Sequence, residues 1–136
     1  DLLIGAVLVP GAKAPKLIRR DMLAMMRPGS VLVDIAIDQG GCAETSRATT
    51  HQMPVFVEEG VTHYCVANMP GAYARTATQA LTNVTHRYVE LIADFGIAEA
   101  CHKQPALLGG INVMGGHVTY KAVADAHGLP FVPPKV

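Results

Sequence analysis

The sequence predicts an α/β fold built around a parallel sheet, and three observations support that prediction. Residues 2–9 and 30–37 form short, continuous apolar runs, which are typical of strands buried on both faces. Residues 16–27 lie between these runs, place apolar side chains at mostly helical spacing and end at Pro28 and Gly29. Strand, helix and strand in this order predict a right-handed β-α-β unit with parallel strands.

The remaining elements are predicted from the same signals. Residues 40–53 are polar and too numerous for a tight turn, so we expect a loop there. Apolar patterning then predicts two short strands, at residues 55–57 and 62–66. It also predicts a long helix over residues 73–95 that ends at Gly96, and a short final helix over residues 119–126. Residues 107–113 are ambiguous, because their paired glycines mark a turn as readily as a functional site.

Composition argues against several classes of partner. Eleven basic and eleven acidic residues balance, and no basic cluster is longer than Arg19-Arg20, so we expect neither nucleic-acid nor membrane binding. Three cysteines without CxxC spacing argue against a disulfide framework or a zinc site and fit a reducing cytoplasm. No apolar run reaches the roughly 18 residues that a membrane span requires. These features predict a soluble, cytoplasmic chain without a metal site.

Asp38 is the first candidate for chemistry, because an acid and two glycines end the run 30–37. Open α/β folds bind ligands at the carboxyl edge of the parallel sheet, and another predicted strand leads into Asn68 and Met69. Carboxylate, amide and thioether groups could line one crevice and orient a planar cofactor and a small polar substrate; two separate sites fit the same residues. A turn-capping role for Asp38 is the simpler alternative.

Signatures of other chemistry are missing from the sequence. Gly5 and Gly11 are too far apart for GxGxxG, and no Walker GK[ST] ending is present, so a pyrophosphate loop would lie elsewhere. The six histidines form no HxxxH or HExxH pair. Ser30 and Ser46 lack the local context of a nucleophile elbow, which argues against a hydrolase triad.

Four segments carry a resemblance to a known family. They read GAVLVPGAKAPKLI at 5–18, MRPGSVLVDIAIDQGGCAETSR at 26–47, HYCVANMPGAYARTATQALTN at 63–83 and, more loosely, GINVMGGHVTYKAVADAHGL at 110–129. These segments resemble alanine dehydrogenase, the NAD-dependent enzyme family that interconverts L-alanine with pyruvate and ammonia. The NAD-binding subunit of proton-translocating transhydrogenase shares part of the pattern, but the DQGG sequence favours the dehydrogenase.

The resemblance implies the C-terminal third of such an enzyme, because the family's glycine-rich nucleotide loop and catalytic histidine precede the matching region. The expected fold is the second half of a Rossmann-like, doubly wound parallel sheet, followed by a long helix and a C-terminal helical segment. Residues 1–72 would complete the NAD-binding domain, and residues 73–136 would belong to the substrate domain. A chain that begins at Asp1 is expected to be a fragment or a processed piece. The family also suggests a homo-oligomer, a hexamer.

The resemblance also implies roles for individual residues. NAD would be the cofactor, and Asp38 would be the catalytic residue. The residues implied to line the cofactor are Val7, Leu8, Ile35, Ala36, Ile37, Asp38, Val66, Ala67, Asn68 and Met69. We expect the 136-residue chain alone to be inactive. Two other functions stay open: a catalytically silent nucleotide-binding or assembly module, and the NAD-binding domain of a transhydrogenase.

Overall fold

The computed structural model describes residues 1–136 and divides the chain into two compact units, residues 1–72 and 73–136. The first unit contains a four-stranded sheet, and the second consists mainly of helices with one small hairpin. The assignment of the first unit to an NAD-binding domain and of the second to a substrate domain stays a prediction.

Four strands build the sheet of the first unit, in the order β1-β2-β4-β3. Their bounds are Leu2–Gly5 for β1, Val31–Asp34 for β2, Val55–Glu58 for β3 and Val61–Tyr64 for β4. Strands β1 and β4 pair in parallel with β2, whereas β3 is an antiparallel edge strand joined to β4 through Glu59 and Gly60. The predicted α/β class with a parallel sheet is confirmed.

The two faces of this sheet differ in burial, because side chains alternate between the faces along each strand. On one face, Leu32 of β2 is fully buried with Ala43, Val61 and Leu23, the last from α1 (Arg20–Ala24). Complete burial of a leucine side chain stabilises a fold by about 1.5–3 kcal/mol. The opposite face carries exposed aliphatic side chains on both outer strands, namely Leu2, Ile4, Val55 and Val57.

Strand ends differ from the predicted ones at both apolar runs. The run 2–9 forms a strand only as far as Gly5, and the run 30–37 leaves the sheet after Asp34. The Asp34 carboxyl group accepts a hydrogen bond from the Ala36 backbone N–H, and a 3-10 helix, Ile35–Gln39, follows. The prediction that Asp38 ends a strand is therefore wrong, because the strand ends four residues earlier at a different acid.

The predicted helix over 16–27 is also too long. Only Arg20–Ala24 is helical, because the backbone N–H groups of Leu17 and Ile18 donate to the Cys42 carbonyl oxygen at 2.8 and 3.1 Å. Residues 16–18 thus run beside the loop that follows β2, and Ile18 forms an isolated parallel bridge with Ala43. Helical spacing in a sequence does not reveal such a competing partner.

The second unit begins with the long helix α2, Ala74–Lys103, which is interrupted at Gly96 with φ of 71° and ψ of 170°. The predicted end at Gly96 is thus a break within a longer element. A 3-10 helix, Pro105–Gly110, covers part of the ambiguous segment 107–113, and a hairpin of β5 (Val113–Met114) and β6 (His117–Val118) follows. The final helix α3, Lys121–His127, ends at Gly128.

The long helix, the short final helix and their order along the chain confirm the predicted sequence of elements after the sheet. None of the helices, α2 included, combines the length and the apolar character needed to cross a membrane.

Candidate functional site

The loop that follows β2 contains Asp38, the predicted catalytic residue, and its backbone conformation depends on two glycines and on hydrogen bonds from Lys16. The 3-10 helix Ile35–Gln39 ends at Gly40, and both Gly40 (φ 93°) and Gly41 (φ 77°) adopt the left-handed conformation that favours glycine. The Lys16 Nζ donates hydrogen bonds to the carbonyl oxygens of these two glycines, at 2.6 and 2.9 Å. The two glycines of the DQGG sequence are therefore required by the loop itself, independently of any ligand.

Asp34, the last residue of β2, holds this loop through hydrogen bonds to its carboxyl group. Its carboxyl group is fully buried and accepts five hydrogen bonds, two at Oδ1 and three at Oδ2. The donors at Oδ1 are the Ala36 N–H at 3.0 Å and the Cys42 thiol at 3.4 Å. Those at Oδ2 are the N–H groups of Cys42 and Ala43, at 2.8 and 3.4 Å, and the Ser46 hydroxyl at 2.5 Å.

Gln39 connects this loop to the one that follows β1. Its side-chain amide donates to the Val9 carbonyl oxygen at 3.0 Å and accepts from the Val9 N–H at 3.3 Å, so it pairs with Val9 as a neighbouring strand would. The Gln39 carbonyl oxygen also accepts from the Ala14 N–H at 2.9 Å. The segment that contains Val7 and Leu8 is thereby held next to the segment that contains Asp38.

The loop after β4 lies against the same edge of the sheet. Asp38 Oδ1 accepts a hydrogen bond from the Asn68 N–H at 3.4 Å, and Asn68 itself has a positive φ of 55°. The Asn68 carbonyl oxygen accepts from the Gly71 N–H at 2.9 Å, and the His51 Nε2 lies 3.1 Å from the same oxygen. The structure thus brings together the two positions that the sequence placed at separate strand ends.

The predicted cofactor-lining residues fall into two groups by burial. Six have side chains that are exposed or half-buried at this edge: Val7, Leu8, Ile35, Ala67, Asn68 and Met69. Leu8 and Ile35 are 73% and 53% exposed. Ala36, Ile37 and Val66 are buried, so a ligand would reach them through backbone atoms alone. Asp38 is exposed.

Two buried cysteines lie near Asp34 and are poor nucleophiles. Burial raises the pKa of the Cys42 thiol from 9.0 to about 11, and the charge of the adjacent Asp34 carboxyl group contributes to the increase. Burial also raises the pKa of Cys65. Both thiols stay protonated near neutral pH, which favours a packing role over thiolate chemistry.

The only histidine of the chain that is fully buried also has a structural role. The His63 Nε2 lies 2.8 Å from the Thr45 hydroxyl, and its Nδ1 lies 2.9 Å from the Val61 carbonyl oxygen. Its ring stacks on Phe56 with centroids 4.7 Å apart. With both nitrogens engaged inside the core, His63 is not available as a general base.

Sequence reasoning found Asp38 and Asn68 but missed Asp34, Gln39 and Lys16. A signal for Asp34 was present, since an acid inside the apolar run VLVDIAI must find hydrogen-bond donors if the run is buried. Gln39 and Lys16 gave no such signal, because their partners are backbone atoms 24 or more residues away.

The arrangement combines an exposed carboxyl group, backbone N–H groups and exposed aliphatic side chains at the carboxyl edge of a parallel sheet. Flat apolar groups can lie against Leu8 and Ile35, while Asp38 can accept hydrogen bonds or stabilise a positive charge. No group of three His, Cys, Asp or Glu side chains is placed to hold a metal ion. The chemistry supported here is binding of an organic cofactor beside a carboxylate.

The chain is similar in sequence to one family of known proteins. Residues 1–121 match the family model described as alanine dehydrogenase/PNT, C-terminal domain. The chain is 63% identical over 132 residues to alanine dehydrogenase of Halomonas elongata, covering 97% of this chain and 36% of that protein. It is 55% identical over 134 residues to alanine dehydrogenase of Bacillus subtilis, covering 98% of this chain and 35% of that protein.

Two solved structures are also similar to the chain. A structure titled L-alanine dehydrogenase has a TM-score of 0.76 and 48% identity, over 93% of this chain and 35% of the other. A transhydrogenase from Sinorhizobium meliloti has a TM-score of 0.61 and 32% identity, over 71% of this chain and 27% of the other. The chain spans about 36% of the length of the curated relatives it matches.

Proposed function

The chain belongs to the alanine dehydrogenase/PNT C-terminal domain family, and on that premise we propose that it forms part of an NAD-dependent L-alanine dehydrogenase. The reaction is the oxidative deamination of L-alanine to pyruvate and ammonia. The higher identity and TM-score with alanine dehydrogenases favour this function over that of a transhydrogenase.

The observation that supports the proposal most directly is the contact between Asp38 and Asn68. Their loops follow β2 and β4, two parallel strands that are neighbours in the sheet. A carboxyl group and a peptide N–H thus meet where α/β folds bind ligands. Exposed Leu8 and Ile35 on the adjacent loops add the apolar surface that a planar ring requires.

The residues present fit NAD as the cofactor. The half-buried side chain of Val7 and the exposed side chains of Leu8 and Ile35 suit one face of a nicotinamide ring. Asp38 and the backbone around Asn68 suit hydroxyl and amide groups. NAD, when bound, supplies the acceptor for a hydride. Residues 35–38 and 66–69 would flank the ring and its ribose, while the pyrophosphate would be held by a segment that this chain does not contain.

Asp38 has a defined task in the reaction. Loss of a hydride from Cα and of a proton from the ammonium group leaves an iminium cation on the substrate. Water then adds to the carbon, and the adduct loses ammonia and a proton to give pyruvate. A carboxylate beside the reacting carbon stabilises the cation and orients the water. We propose this role for Asp38, with the main general base outside this chain.

Several finer properties form part of the same proposal. L-alanine, pyruvate and ammonia would be the substrate and products, with a role in L-alanine catabolism. We infer a homo-oligomer in the cytoplasm, with no role for nucleic acid or a membrane. The family resemblance, the balanced charge and the odd number of cysteines support these inferences.

A chimeric enzyme tests the proposal. In it, this chain replaces the matching segment of the Halomonas elongata alanine dehydrogenase, with which it shares 63% identity. We expect NADH formation that depends on L-alanine, followed by absorbance at about 340 nm, at a rate comparable to the parent enzyme. The isolated chain is the control, and we expect it to produce no NADH.

The outcomes separate the candidate functions. A folded chimera that binds NAD but does not oxidise alanine would refute the dehydrogenase proposal and favour a silent nucleotide-binding or assembly module. Activity in the isolated chain would show that residues 1–136 hold a complete active site.

A further inference from the structure

We propose that Asp34 is a positioning residue for the reaction: it holds the segment 35–39, and through it the Asp38 carboxylate, in the geometry that the substrate requires. This inference rests on the proposed function, because it assigns to Asp34 a task within that site. This carboxyl group is fully buried and takes no direct part in the proposed chemistry.

A buried carboxyl group must find compensating partners, and the partners of Asp34 are unusual. None of the ion pairs in the structure includes it. Instead, both oxygens accept hydrogen bonds, three of them from backbone N–H groups. Two oxygens that only accept match the ionised form of the group, and bonds to a charged acceptor are roughly twice as strong as neutral ones.

The positions of these donors explain the effect on the loop. The Ala36 N–H lies near the start of the segment 35–39, and the Cys42 and Ala43 N–H groups lie just beyond its end. One carboxyl group therefore ties both ends of the segment to the end of β2. The Ser46 hydroxyl adds a third point of attachment farther along the loop, at 2.5 Å.

Asp38 depends on this attachment because its own contacts are weak. Its side chain is exposed and has a single hydrogen bond, the 3.4 Å contact with the Asn68 N–H. The orientation of Asp38 toward a substrate is therefore set by the backbone that carries it. A displacement of about 1 Å at a reacting group can lower a rate by roughly a hundredfold.

Gly41 leaves the space that the Asp34 carboxyl group occupies. A Cβ atom on Gly41 would lie 2.8 Å from Asp34 Oδ2, closer than Cβ contacts in proteins come. A side chain at position 41 would therefore have to displace this carboxyl group or the loop around it.

The test uses the chimeric enzyme with the substitution Asp34→Asn. The amide keeps one acceptor oxygen but presents N–H donors where the second oxygen stood, so one end of the segment loses its attachment. We expect kcat per active site to fall by about tenfold to a hundredfold, and the Kd for NAD to change by less than about threefold. The matched control is Val31→Ala, a truncation on the same strand whose side chain lies on the face opposite Asp34, and we expect it to leave kcat per folded site unchanged.

A double substitution distinguishes positioning from a general loss of structure. If Asp34 acts through Asp38, the variant with both Asp34→Asn and Asp38→Asn should have the same kcat as Asp38→Asn alone. Independent, multiplicative losses in the double variant would overturn the proposal, and so would a kcat per active site for Asp34→Asn that matches the Val31→Ala control.

Ser46→Ala provides a second test in case Asp34→Asn does not fold. It removes one donor to Oδ2, and we expect a loss in kcat of about threefold to tenfold with NAD binding retained. An unchanged kcat in this variant would refute the positioning role. If the chimera without further substitutions folds and does not oxidise alanine, the proposed function fails and this inference fails with it. If that chimera is active and neither Asp34→Asn nor Ser46→Ala changes its kcat, only this inference is refuted.

Discussion

Gly41→Ala should destabilise the protein more than Gly40→Ala, although the two glycines are neighbours with similar backbone conformations. Both have a positive φ, 93° for Gly40 and 77° for Gly41. A left-handed conformation costs a residue other than glycine roughly 1–2 kcal/mol, of which the lower entropy of the unfolded alanine variant offsets about 0.4–1 kcal/mol. This contribution is common to both substitutions and leaves a net cost of about 1 kcal/mol for each.

The difference between them comes from the space around the added methyl group. At Gly40 nothing lies within 4 Å of the position that an alanine Cβ would take, whereas at Gly41 this Cβ would lie 2.6 Å from Ser46 Cβ and 2.8 Å from Asp34 Oδ2. Neither neighbour is the end of a flexible chain, since one is a Cβ atom and the other is held by three hydrogen bonds. Overpacking of this kind costs typically about 1–3 kcal/mol. We therefore expect Gly41→Ala to be destabilised by about 2–4 kcal/mol in total.

Denaturant titration measures the loss of stability for Gly40→Ala and for Gly41→Ala in the chimeric enzyme, with the chimera without these substitutions as reference. A Gly41→Ala midpoint equal to or above that of Gly40→Ala would refute the reasoning, because it would show that the loop does not enclose the Asp34 carboxyl group as described. A second readout is kcat, which should fall in Gly41→Ala alone, since its methyl group displaces the acceptor that holds the segment 35–39.

Four further predictions concern the site, the buried Cys42 thiol and the exposed surface. Asp38→Asn in the chimeric enzyme should lower kcat about a hundredfold or more while the Kd for NAD changes little; weakened NAD binding with an unchanged kcat would instead make Asp38 a cofactor-positioning residue. Because burial raises the pKa of Cys42 from 9.0 to about 11, this thiol should react with iodoacetamide about a hundredfold more slowly than a free thiol below about pH 9. Because the Cys42 thiol ionises at a higher pH in the folded state than in the unfolded state, its contribution to stability is fully present below about pH 9 and is lost as the pH rises toward about 11. The denaturation midpoint should therefore fall over that interval. A Cys42→Ala variant should lack this part of the decrease. The isolated chain should self-associate in sedimentation experiments, because one sheet face and much of α2 expose aliphatic side chains; a compact monomer at high micromolar concentration that binds no apolar dye would contradict this.

The sequence alone was sufficient for the class of fold and for the neighbourhood of the site. Continuous apolar runs near residues 2–9 and 30–37 mark parallel strands, because such strands carry apolar side chains on both faces without polar alternation. In this structure only one of the two faces is buried. The helical spacing after residue 73 marks α2, because a long periodic signal outweighs local irregularity. Asp38 and Asn68 were found because polar residues that follow apolar strands converge at one edge of a parallel sheet.

Tertiary structure decided which acid ends the strand and what holds the loop. Asp34 and Asp38 are both acids in the run VDIAID, and only the donors contributed by Cys42, Ala43 and Ser46 make the first one the buried acceptor. The helix predicted over 16–27 likewise does not form at Leu17 and Ile18, because their backbone N–H groups donate to the Cys42 carbonyl oxygen. Local propensities amount to less than about 1 kcal/mol per residue, so a hydrogen bond to a distant segment can outweigh them. A sequence read along the chain determines periodicity and turn chemistry, whereas the partners of buried polar groups exist only once distant segments meet.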